Sequence, residues 1–158
     1  MCIRDRLDNL AQAIADDQDL QAWCQVNYGK VHQVSVAYAG YLPGDEIQCP
    51  LVVIYPVSKA VGQDLSEKQH RFGIECNLFG TAEVTYASDN IRKIKTVEDV
   101  ESFRKLVEQA VLEADVGRCV FTRMEIAYQV SLAEQEIVRA TMDINLNEAN
   151  IMGTSMWD

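Results

Sequence analysis

A chain of 158 residues, 48% hydrophobic and 24% charged, has the composition of one globular domain large enough to bury a core. Its 24 acidic against 14 basic residues leave a net charge of −10, which argues against gripping phosphate backbones through clustered Lys and Arg. Five cysteines, odd in number and without CxxC spacing, exclude a disulfide framework or zinc knuckle and fit a reducing cytoplasm.

The chain opens on MCIRDR, which resembles a translated sequencing-adapter remnant, so the fold is expected to start at Leu7 and residues 1–6 are set aside. No apolar segment follows as a signal peptide requires, and no run approaches the roughly 18 apolar residues of a membrane helix. From Leu7 to Cys24, apolar residues at spacings of three and four predict an amphipathic helix, interrupted near Asp16-Asp17-Gln18-Asp19. That acidic run reads as a solvated face or as the N-cap of a further helical turn, rather than a metal site. Gly29 closes the helical region.

Val34, Val36 and Tyr38 alternate within Val31–Ala39 and predict a first strand. Pro43-Gly44-Asp45 sets a turn in the loop that follows. Residues 49–79 form the strongest local signal. Leu51–Tyr55 is a continuous apolar run, read as a strand buried on both faces. Residues 69–79 alternate, with His70, Phe72, Ile74, Cys76 and Leu78 towards a core and Arg71, Gly73, Glu75 and Asn77 towards polar surroundings. Together they predict a long antiparallel hairpin, with the connection 58–68 beyond the sheet. Ala60, Val61 and Leu65 are the apolar residues of that connection, either packing locally or offering a contact to another subunit.

Residues 80–95 read as a small surface excursion or hairpin around Ser88-Asp89-Asn90. Thr96 reads as the N-cap of a helix over 97–115, whose stripe is Val100, Phe103, Val107, Ala110, Val111 and Ala114 and which ends at Gly117. A last hairpin follows. Val120, Thr122, Met124, Ile126, Tyr128 and Val130 share one phase, and Val138, Ala140, Met142, Ile144 and Leu146 another, around a turn at Ala133–Gln135. Residues 147–158 are expected to be a tail. The whole predicts a single α+β domain over 7–146: a mainly antiparallel sheet built from two long hairpins, with two helices packed on one face.

No GxGxxG, GxxxxGK[ST], GxSxG or HExxH occurs. His70 and Cys76 are six residues apart on one strand, roughly 20 Å, too far to share an ion. The pair Glu134 and Glu136 falls on a turn. No catalytic residue, cofactor or metal is therefore expected, and the chain does not read as an enzyme.

The hairpin resembles that of the tail terminator proteins of long-tailed bacteriophages, the minor tail protein U type. The residues that carry the likeness are Gln48-Cys49-Pro50, the strand Leu51–Tyr55, the acidic connection with Asp64, Leu65, Ser66 and Glu67, and the alternating strand ending Asn77-Leu78-Phe79. The likeness covers 7–79 and 96–146 in architecture, and 48–79 in residue detail. Residues 80–95 depart from the family pattern, which places a helix soon after the strand. The resemblance implies a virion structural protein, assembled in the host cytoplasm as a homohexameric ring on the tail tube. It would stop tube polymerisation and offer the surface that joins the head. Its partners would be itself, the tail tube protein and a head-completion protein, with no specific nucleic acid and no membrane. The net charge suits a ring through which DNA slides. Alternatives are another head-to-tail connector of the same virion, or a cytoplasmic small-ligand-binding or enzyme-subunit domain.

Overall fold

The computed structural model describes residues 3–41, 49–61, 67–80, 84–88, 90–117, 119–131 and 137–149. The Pro43-Gly44-Asp45 turn, Leu65, the turn at 133–135 and residues 150–158 lie outside them.

Two helices come first, α1 (Ile3–Asp16) and α2 (Gln18–Tyr28). They are separate because Asp17 takes an extended backbone and caps the second, its Oδ1 accepting from Leu20 N at 2.7 Å. Gly29, at φ 68°, ends α2 with its N–H on the Gln25 carbonyl. The expected start at Leu7 moves back to Ile3 because Arg6 continues the row of Leu10 and Ile14. All three side chains are buried.

The strands β1 (Gln33–Val36), β2 (Leu51–Val61), β3 (Glu67–Phe79), β6 (Cys119–Ser131) and β7 (Ile137–Ala149) form one mixed sheet in the order β1-β2-β3-β7-β6. The two long hairpins pair as expected, Leu51 opposite Asn77 and Val130 opposite Val138. The sheet is nevertheless not wholly antiparallel, since β1 runs parallel to β2. β7 continues past 146 to Ala149, because Glu67–Gln69 supply its last pairing partners. In between, β4 (Val84–Ser88) and β5 (Ile91–Ile94) make a separate two-stranded hairpin.

The third helix, α3 (Lys95–Glu113), begins and ends earlier than expected. Ile94, not Thr96, is its N-cap. Thr96 is instead buried against Gly80, where a Cβ would lie 2.2 Å from its Oγ1. Gly117 takes its left-handed turn beyond the helix, its N–H on Asp115 Oδ1. The chain thus has three helices rather than two; α1 and α3 lie on the sheet, and α2 packs on α1 and α3.

The core lies between the helices and one sheet face. Leu10, Ile14, Leu20, Phe103 and Val107 meet Val52, Ile54, Phe72, Ile74, Leu78, Met142 and Ile144. Trp23 stacks on Phe103 at 5.8 Å. The phase of β6 needs a correction. A bulge between Phe121 and Arg123 shifts the register, so Phe121 packs on the core while Val120 is 65% exposed. Phe103 is the side chain shared by α2, α3 and the sheet. Phe103→Ala should cost about 3–5 kcal/mol, the usual loss for a buried aromatic. Urea unfolding followed by far-UV circular dichroism measures it, and an unchanged midpoint would contradict this packing.

Candidate functional site

β3 was expected to show a polar face to polar surroundings, yet residues 72–78 are buried on both sides. The reason is a cover over the far face. Glu75, 4% exposed, accepts from Gly40 N through both carboxylate oxygens at 2.9 and 3.1 Å, which pins the chain after β1 onto the sheet. Arg139 of β7 lies 3.4 Å from Glu75, and its Nε donates to Asn77 Oδ1 at 2.7 Å. The Tyr55 ring lies over Gly73, the position opposite it on β3, where any Cβ would collide with the ring. Burial, and then the Glu75 and Asp143 carboxylates, push the Tyr55 phenol pKa upward. Every partner in this cluster is matched, so it is a structural network, and it holds Leu51, Val53, Ala37 and Tyr41 in a second, smaller apolar cluster.

A second polar cluster lies at the other end of β3. Arg6 Nη2 donates to Glu148 Oε2 at 2.7 Å, and Arg6 Nη1 contacts His70 Nε2 at 2.5 Å. His70 thus accepts through Nε2 and keeps its proton on Nδ1. Burial, and next the Arg6 cation, lower the His70 pKa. His32 also has a lowered pKa, chiefly through burial, with its Nε2 on the Ile14 carbonyl at 2.8 Å.

Burial raises the thiols of Cys24 to about 12 and Cys49 to about 11, and pushes Cys76 higher still, so thiolate is scarce at neutral pH. Among the described residues no three His, Cys, Asp or Glu side chains gather in a way that could hold a metal. No helix among them is long and apolar enough to cross a membrane. A cavity of about 260 Å³, lined by Asn27, Tyr28, Phe79, Lys95, Thr96 and Asp99, lies at the root of the β4–β5 hairpin. It is below the ~300–1,000 Å³ of small-molecule sites.

Two stretches of strand are left exposed. Residues 56–60 of β2 are exposed in succession, so this half of the strand runs clear of the helices. Of the three apolar residues singled out in the sequence, Ala60 is exposed here, Val61 is the last residue of β2, opposite Lys68, and Leu65 lies outside the described residues. Ala60 and Val61 therefore belong to the sheet rather than to a loop beyond it, because the β2–β3 ladder continues past the bulge between Pro56 and Ser58. On β4 and β5, Val84, Tyr86 and Ile94 are 42%, 64% and 40% exposed. Their apolar content was legible in the sequence. That they share one uncovered face was not, because it depends on the register that sets Val84 opposite Ile94.

The chain matches no protein-family model and no curated protein.

The histidines generate a pH prediction. Both are held neutral in the fold and have pKa values below the ordinary 6.5, so the unfolded chain binds more protons as pH falls through that value. Stability should therefore be fully present above about pH 7.5 and decline towards about pH 5.5. Urea midpoints across this window check it. The double variant His32→Asn/His70→Asn should show a flatter slope, and a wild-type slope of zero would contradict the burial of both rings.

Proposed function

We propose that this protein is a phage tail terminator: a structural ring component that caps the tail tube, stops its polymerisation and offers the surface that joins the head. The observation that supports it most is the register of the two long hairpins. β3 and β7 pair along their whole length, with Glu67 opposite Ala149 and Phe79 opposite Ile137. The ends of β2 and β3 at Val61 and Glu67 therefore lie at one end of the sheet, and the ends of β6 and β7 at Ser131 and Ile137 at the other. Thirteen residues of strand separate the two ends by about 40 Å. A terminator needs two unlike ends on one rigid body, one to match the last tube ring and one to meet the head. Binding surfaces of this kind require packing and no reacting group. Net charge −10 suits a lumen that DNA crosses without sticking.

The partners of this role are further copies of the chain in a ring, taken as a hexamer, the tail tube protein and a head-completion protein, all in the virion tail. The test is polymerisation of purified tail tube protein with and without this protein, with tube lengths read by negative-stain electron microscopy. Addition should shorten tubes and leave a ring at one end. Val61→Asp/Leu65→Asp should fold yet leave tube length uncontrolled if the β2–β3 end meets the tube. Tubes of unchanged length and bare ends with the wild-type protein would remove the proposal.

A further inference from the structure

The β4–β5 hairpin is an anomaly on energetic grounds. A two-stranded sheet is marginal in water unless it lays a face on something, and this one is joined to no strand of the main sheet. Its pairing puts Val84 opposite Ile94 and Tyr86 opposite Arg92, so these four side chains share a face. Three of them are the exposed apolar residues above, and the Arg92 guanidinium lies 5.8 Å over the Tyr86 ring. Residues 84–95 also hold three basic residues against one acidic, in a chain whose net charge is −10. This face is apolar with a cationic head, the reverse of the rest of the molecule.

A surface of the complementary kind exists on the same chain. Between α1 and β1 lies a groove of about 370 Å³, lined by Asp8, Ala11, Gln12, Ala15 and Val34. Ala11 and Ala15, one turn apart on α1, make a shallow apolar floor with Val34 of β1. Asp8, Gln12 and Asp16 form the adjoining row, with both aspartates exposed and Gln12 donating to Asp16 at 2.8 Å. β1 pairs only with β2 and so ends the sheet on this side. Groove and hairpin both stand open in one molecule.

We infer that the β4–β5 hairpin is a docking arm that seats Tyr86 and Arg92 in the α1–β1 groove of a second copy of this chain. Tyr86, with Val84 and Ile94, covers the alanine floor, and Arg92 reaches the Asp8–Asp16 row. Charge complementarity selects the occupant, because Arg92, the cation of this face, meets its opposite in the acidic row of α1 on another copy. Arm and groove are different surfaces, so the contact is head-to-tail and propagates until it closes. Only that closure rests on the ring proposed above; the docking stands on the two surfaces themselves.

The test uses the full chain with Cys2→Ser as background, the cysteines at 24, 49, 76 and 119 being buried. Chains carrying Ser88→Cys, an exposed position two residues beyond Tyr86, and chains carrying Ala15→Cys are mixed and treated with a short bis-maleimide. The mixture should give a cross-linked dimer that neither chain gives alone, and raised salt should lower its yield. Arg92→Glu in the arm chain should cut the yield several-fold, and Asp8→Lys in the groove chain should restore it. No cross-link beyond that of the separate chains, or a yield indifferent to Arg92→Glu, would overturn the inference. Run beside the tube-length assay, the two ideas separate. Cross-linking with uncapped tubes keeps the arm and removes the terminator, whereas capped tubes without cross-linking do the reverse.

Discussion

The fold depends on β3 being sandwiched. Phe72, Ile74, Cys76 and Leu78 press against the helices, and Gly73, Glu75 and Asn77 are covered from the other side. Burial of each large apolar side chain contributes about 1.5–3 kcal/mol, but the strand's position matters as much as the sum. It is the middle strand of five, paired to β2 and β7 along nearly all its length. Without it the two hairpins share no ladder, and α3 has no continuous surface to cover.

The covered polar face explains the rest of the architecture on that side. A buried carboxylate is costly unless its charge and lone pairs are matched. Glu75 meets that need with a backbone N–H, the Arg139 cation and the Tyr55 hydroxyl. The match ties β1's exit, β2, β3 and β7 together.

The acidity of the chain sits well with both proposals. In the proposed ring it would keep the lumen from holding DNA, and it makes the basic, apolar β4–β5 arm distinctive. An arm of opposite sign to its body is drawn to the acidic body of a second copy and repelled by that copy's arm, which favours ordered addition over random clustering.

Much of the fold was legible in local sequence. Apolar alternation in 69–79, the stripe from Val100 to Val111 and the Asp17 break in the first helical region each express a rule that acts within a few residues, and each appears in the structure. Tertiary structure alone decided what depends on partners distant in sequence. The parallel placement of β1, the inclusion of Arg6 through Glu148, the burial of Glu75 and Asn77, and the bulge that turns Phe121 inward all require a neighbour from elsewhere in the chain. So does the exposure of Val84, Tyr86 and Ile94, since an apolar residue announces that it seeks cover, and only the packed fold decides whether its own chain supplies it.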